Sequence, residues 1–279
     1  MAAVLNEVSA AVFAHLGYIR PQRARPYDYA TAPPAGTPWQ NYGADARPMR
    51  IADARRPDAA PALEREGFTL VRSVSLVRDF LDEAAVKAIY YAETAELARA
   101  AVRGSRAVVF DHLVRQREAG PALGFGRRVT GERPSANGRV HSDYTEHSGP
   151  RRMQQVLGEK QPQSLRYAIV NVWRPLEGPV VDAPLALCDA RSVAAADLVA
   201  SDVHYADRTG EIYLATHSPA HRWFYYPLMQ PDEALVFKQF DSSARAARFV
   251  PHAAFDHPDT PPDAPSRRSI EARVLVLFD

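Results

Sequence analysis

The chain has 279 residues, with 34 Lys+Arg against 33 Asp+Glu and a formal net charge of +1. That balance argues against a broad nucleic-acid surface, which needs a marked basic excess, while the length is ample for a sizeable buried core. The lone Cys188 excludes an internal disulfide framework and a cysteine-based zinc cluster, and it points to a reducing cytoplasm.

The first residues, Met1 to Val8, carry Glu7 and no basic run, so no signal peptide is expected. No apolar run reaches the ~20 residues that span a bilayer. Leu5, Val8, Val12 and Leu16 fall at helical spacing and predict a short amphipathic helix over 4–16. Residues 20–66 hold Pro21, Pro26, Pro33, Pro34 and Pro38 and few apolar runs, which reads as a wrap or arm. Gly67–Val77 alternates and is rich in β-branched residues, so it should contain a strand. Asp79–Val102 reads as a helix with Phe80, Leu81, Val86, Ile89 and Tyr90 on its apolar face. Val108–Phe110 is a short buried strand, followed by a loop carrying Arg127, Arg128 and Arg133.

From Val140 onward the pattern becomes short strands between turns. Tyr167–Trp173, Leu185–Cys188, Glu211–Ala215, Arg222–Tyr226, Ala234–Phe240, Arg248–Phe255 and Ser269–Phe278 are each bounded by Pro, Asp or Gly. Such spacing predicts a sandwich or barrel. The expected partition is one domain over 1–279, with an N-terminal wrap and helices over 1–105 and a barrel core over 106–279.

Three distant pieces could carry chemistry. His141 and Asp143 are separated by one residue, so on extended backbone they point the same way. His252 supplies a second imidazole from far downstream. Two histidines and one carboxylate on one face of a metal leave positions free, the logic of non-heme Fe(II) oxygenases. Arg267 and Ser269 share a face of the last strand, and a guanidinium with a hydroxyl suits the far carboxylate of a dicarboxylic cosubstrate. The Pro-rich turn from Pro258 to Pro265 suggests that His252 and Arg267 lie on adjacent antiparallel strands.

H-x-D, a distal His and R-x-S on the final strand resemble the 2-oxoglutarate/Fe(II) dioxygenase superfamily. Longer phrases resemble its CmcJ/NvfI group: NVWRP at 171–175, PLALCDARSV at 184–193, HRWFYYPLMQPDE at 221–233, FKQFDSSAR at 237–245, PHAAFDHP at 251–258 and RRSIEAR at 267–273. DAR at 53–55, LEREGF at 63–68 and FDHLVR at 110–115 extend the likeness over nearly the whole chain. The resemblance implies an α+β, β-dominated fold. Its core would be a double-stranded β-helix, the cupin-like jelly roll, here with an N-terminal helical extension. It further implies Fe(II), 2-oxoglutarate and O2 as cofactors, and hydroxylation or desaturation of a small specialised metabolite. His141, Asp143 and His252 match the metal triad, Arg267 and Ser269 match the cosubstrate motif, and Arg273 is a second candidate anchor on the same strand face.

Other polar residues read as structural. His147 is a rival to His141 but lies six residues beyond it, outside tight strand geometry, Pro219 keeps His217 and His221 off one helix face, and His112 and His204 read as strand-end or loop polars. Asn171 with Trp173, and Trp223 with Tyr225, each share a strand face and are candidates to contact substrate. Two other readings are a 2-oxoglutarate-independent metalloenzyme on the same barrel and a non-catalytic binding protein. A nucleic-acid or membrane partner is not expected.

Overall fold

The computed structural model describes residues 10–117, 136–158 and 165–279. Leu5, Val8, Arg127, Arg128 and Arg133 lie outside them. Two sheets face each other. Along the chain the strands are β1 (Ala11–Ile19), β2 (Tyr27–Tyr29), β3 (Ala44–Asp53), β4 (Phe68–Arg72), β5 (Arg106–Gln116), β6 (His141–Ser142) and β7 (Tyr167–Pro175). They continue with β8 (Leu185–Cys188), β9 (Leu198–His204), β10 (Thr209–Ala215), β11 (Trp223–Tyr225), β12 (Glu233–Asp241), β13 (His252–Ala254) and β14 (Arg268–Leu277). The nine-stranded sheet runs β1-β3-β11-β8-β13-β6-β10-β9-β2, and the five-stranded sheet runs β4-β12-β7-β14-β5. This is the β-dominated jelly roll that the sequence leads one to expect.

Among the described residues one continuous helical stretch packs on the outer face of the smaller sheet. Asp82 caps α1 (Glu83–Ala85), accepting from the backbone N–H groups of Ala84 and Ala85. The helix passes through a π-helical turn (Val86–Tyr90) into α2 (Tyr91–Val102). Ala98 and Val102 pack on Val170, Val172, Val236, Val274 and Val276 from β7, β12 and β14. The other face of the same strands meets the large sheet, where Trp173, Leu235 and Phe237 pack with Leu185 and Leu187. Strand β7 is therefore buried on both faces at all nine positions, which explains its nearly unbroken apolar run. A further helix, α3 (Ser148–Leu157), follows the triad segment.

The N-terminal third departs from expectation. The predicted helix is strand β1 from Ala11 onward: Val12, Ala14, Leu16 and Tyr18 are buried while Phe13 between them is 69% exposed. Val12 and Leu16 satisfy a helical and a strand spacing alike, and the strand alternation through Tyr18 wins because β3 is there to pair with it. The segment expected to be a wrap likewise supplies β2 and β3, so both sheets recruit strands from before residue 106.

Strand β1 also curls the large sheet back on itself. Gly17 N–H donates to Gly138 O at 3.2 Å, and Val140 N–H donates to Gly17 O at 2.8 Å. A Cβ on Gly17 would stand 2.6 Å from Gly138 O, so only glycine allows this approach. The enclosed second core contains Leu16, Tyr18, Ile51, Val140, Cys188, Trp223, Tyr225, Ala253 and Phe255. Burying each large apolar side chain there contributes roughly 1.5–3 kcal/mol.

His252 and Arg267 do not lie on adjacent strands. β13 pairs with β8 and β6 in the large sheet, whereas β14 pairs with β7 and β5 in the small one. The Pro-rich connection crosses between sheets instead of closing a hairpin.

Candidate metal centre

His141 and His252 are directly opposite each other in the β6–β13 pair. Their neighbours Val140 and Ala253 point into the second core, so alternation sends both imidazoles to the side facing the small sheet. The rings lie 4.3 Å apart between centroids. Asp143 follows one residue beyond β6, with Oδ1 at 3.5 Å from His141 Nε2. One ligand atom from each of His141, Asp143 and His252 can be chosen so that all lie within 4.8 Å of one another. Among the described residues no other group of His, Cys, Asp and Glu does this.

Hydrogen bonds aim each group. His141 Nδ1–H donates to Arg139 O at 2.8 Å, and His252 Nδ1–H donates to Val250 O at 3.2 Å. Each bond assigns the tautomer and leaves Nε2 with its lone pair free. Asp143 Oδ2 accepts from Arg273 Nε at 2.9 Å and from Asn171 Nδ2 at 2.9 Å, which turns Oδ1 toward His141. Gln239 ties the two ligand segments together. Its Oε1 accepts from Asp143 N–H at 2.7 Å and Ser142 Oγ–H at 3.1 Å, and its Nε2–H donates to Val250 O at 3.1 Å.

The protonation states suit a cation. Burial first, and then the neighbouring His252, hold the His141 imidazole well below its usual range, which favours its neutral form. Burial works to raise the Asp143 carboxyl, but the Arg273 guanidinium leads the influences that outweigh it, helped by the Asn171 amide, and the group stays ionised. A neutral imidazole and an ionised carboxylate are the forms a metal needs.

Toward the start of β14, Ser269 and, one residue before the strand, Arg267 face the interior with Glu271 and Arg273. Arg267 is buried, donates to Ala183 O, and lies over the Trp173 ring at 5.3 Å. Its Nε and the Ser269 hydroxyl have no hydrogen-bond partner among the described residues. Burial and the neighbouring Arg115 push the Arg267 guanidinium down to about 10, as for a cation short of counter-charge. Arg273 instead is held by Asp143, Asp111 and Glu271, which leaves it little capacity for a further anion.

Of the four candidate substrate contacts, Asn171 and Trp173 reach the interior, one on Asp143 and one beneath Arg267. Trp223 and Tyr225 do not: both point into the second core, on the opposite face of the sheet from the triad. Their neighbours Phe224 and Tyr226 take the interior side with Trp173. His147 is 89% exposed at its side chain and stands apart from the triad, and His217 and His221 pack on Tyr18. A cavity of about 620 Å³ lined by Arg50, Asp53, Glu66, Asp189, Arg191 and Arg222 contains no triad residue. Sequence reasoning missed Asn137 and Gln239 and named Arg273 only as an anchor. The two-residue steps from Arg267 to Arg273 were a signal for Arg273, but nothing along the chain links Gln239 to Asp143.

The family model described as "Oxidoreductase/YMDC permease-like domain" matches residues 16–277. A protein named hydroxylase/desaturase efuI from Hormonema carpetanum is 32% identical over 255 residues, covering 84% of this chain and 85% of that one. The Fe(II)/2-oxoglutarate-dependent dioxygenase nvfI of Aspergillus novofumigatus is 30% identical over 260 residues, covering 89% and 90%. A solved structure titled iron and alpha-ketoglutarate-dependent endoperoxidase NvfI superposes with a TM-score of 0.83 at 27% identity, covering 96% of this chain and 98% of that one.

Proposed function

This chain belongs to the NvfI-type family of Fe(II)/2-oxoglutarate-dependent dioxygenases, and on that premise we propose that His141, Asp143 and His252 hold the iron while Arg267 and Ser269 anchor 2-oxoglutarate. The enzyme is an oxidoreductase that uses Fe(II), 2-oxoglutarate and O2 to hydroxylate or desaturate a small specialised metabolite. The observation that carries the metal assignment is the convergence of two imidazole nitrogens and one carboxylate oxygen within 4.8 Å.

The donor set fits the metal. Two imidazole nitrogens and one carboxylate oxygen suit Fe(II), and a three-residue set leaves room for exogenous ligands. When bound, the iron with its cosubstrate and dioxygen supplies the oxidising power that takes a hydrogen atom from substrate. The protein's part is to position and to screen. Arg139 O and Val250 O orient the imidazoles, and Arg273 and Asn171 hold one carboxylate oxygen so that the other is presented. The free Arg267 Nε and Ser269 Oγ, both buried, offer donors to the far carboxylate of the 2-oxo acid. Trp173 and Phe237 supply apolar surface beside Arg267 and His252, which keeps both side chains out of bulk water.

Anaerobic addition of Fe(II) and 2-oxoglutarate should produce a metal-to-ligand absorption band, and admitting oxygen should release succinate. Absence of both would reject the function. A band that persists in Asp143→Ala would reject that ligand.

A further inference from the structure

Asn137 is outside the ligand set, yet its side chain stands against it. The residue is buried and held from two sides. Its Oδ1 accepts from Arg139 N–H at 3.0 Å, and its backbone carbonyl accepts from Ala254 N–H at 2.8 Å, two residues beyond His252. Because Oδ1 is taken by a backbone donor, the amide cannot be flipped without losing that bond. The Nδ2 group therefore faces His141 Nε2, at 3.4 Å.

That contact is on the lone-pair side of the imidazole. His141 Nδ1 carries the hydrogen, since it donates to Arg139 O, so Nε2 is the acceptor that Asn137 caps. The same lone pair is the one a metal needs. A cation on Nε2 ends the Asn137 contact, and an N–H group gains nothing from pointing at a cation. The donor is then buried beside the metal and requires an acceptor there. The acceptors a metal brings to that position are the oxygens of its exogenous ligands.

We propose that Asn137 is a catalytic residue whose side-chain N–H donates to an anionic oxygen by which the 2-oxo acid chelates the metal. The inference rests on the function proposed above and adds a residue that neither the H-x-D nor the R-x-S motif contains. It assigns Asn137 to the metal-binding end of the cosubstrate, separate from the far carboxylate held by Arg267 and Ser269. The same bond would fix which oxygen of the 2-oxo acid lies beside His141, and thereby which position remains for dioxygen.

The test compares wild type, Asn137→Ala and Asn137→Asp in two anaerobic titrations, Fe(II) alone and then 2-oxoglutarate into the iron-loaded protein. Asn137→Ala should bind Fe(II) with unchanged affinity, bind 2-oxoglutarate about tenfold more weakly, the size of one charge-assisted hydrogen bond, and show a shifted absorption band. Asn137→Asp keeps the acceptor for Arg139 N–H and the shape, so it guards against a folding defect. It replaces the donor with a carboxylate oxygen and should weaken 2-oxoglutarate at least as much. Weakened Fe(II) binding with unaltered 2-oxoglutarate affinity and band would overturn the proposal and make Asn137 a support for His141 or Asp143. No change in either titration would overturn it as well. A wild type that gives no band would remove the function itself, and this inference with it, a failure distinct from a normal band that ignores Asn137.

Discussion

Arg273 Nε stands 2.9 Å from Asp143 Oδ2 across the interior of the jelly roll, so the Asp143 carboxylate is clamped by a cation from the last strand. Burial alone would favour the neutral acid at Asp143, and the guanidinium is the largest influence opposing it. Arg273→Leu, which removes charge and donors but keeps bulk, should lower Fe(II) affinity about 10- to 100-fold, as loss of an outer partner of a metal ligand does. Anaerobic titration of the variant checks this. Unchanged affinity would mean that Asn171 suffices to orient the carboxylate.

Arg267 and Arg273 share a strand face but differ in what they have left to give. Arg273 meets three carboxylates, while Arg267 has a backbone carbonyl, an aromatic ring and a free Nε. Arg267→Ala should raise the KM for 2-oxoglutarate about 10- to 100-fold, the range for a lost charge-assisted pair. Fe(II) affinity should stay the same. A KM that ignores Arg267 would move the anchor elsewhere.

Ser142 stands between His141 and Asp143. Its hydroxyl shares Gln239 Oε1 with the Asp143 N–H. Ser142→Ala should cost about 1 kcal/mol of stability and leave iron binding intact. Gln239→Leu strips both donors of their acceptor and should cost about 1–3 kcal/mol for each, with weaker iron binding besides. Denaturant unfolding and iron titration of the two variants separate these outcomes. Loss of iron in Ser142→Ala would show that the hydroxyl itself sets the ligand geometry.

His221 predicts an acid-side loss of stability. It is buried in a chain from Tyr18, which donates to Nδ1, to Asp197, which accepts from Nε2–H, while Trp223 donates to the Tyr18 oxygen. Burial holds its pKa below 6.5 although Asp197 pulls the other way. As pH falls below about 6.5 the unfolded chain takes up this proton before the folded one does, so stability decreases; above that range the group has no effect. His221→Gln keeps an acceptor and a donor but does not titrate, so its Tm should fall less between pH 7 and pH 5 than that of wild type. His141, His112 and His257 are also lowered by burial and would contribute to the slope that remains. An unaltered slope in the variant would exonerate His221.

Part of the cluster was legible because its signal is local: one intervening residue puts His141 and Asp143 on the same side, whereas the distant His252 was matched through the resemblance alone. The strands from β7 onward were legible for a similar reason, each being apolar and bounded by turn residues. Strand β1 was not, because Val12 and Leu16 fit two periods and only the pairing of β1 with β3 decides between them. The pairing of Gln239 with Asp143 joins positions from opposite sheets, which no periodicity encodes. Trp223 and Tyr225 were correctly seen to share a face, but which face looks toward the metal depends on how the large sheet curls at Gly17.

That curl makes β13, β8 and the approach to β6 a wall common to two cores. One side presents His141, His252 and Leu187; the other presents Val140, Ala253, Cys188 and Trp223. His141 and His252 are thus immobilised by packing that does not involve a cation, unlike side chains in small domains that a metal ion folds. Chelation should therefore empty the centre without melting the chain. In the metal-free protein the backbone amides of His252–Ala254 should still rank among the slowest to exchange with deuterium, because opening them means opening both cores together.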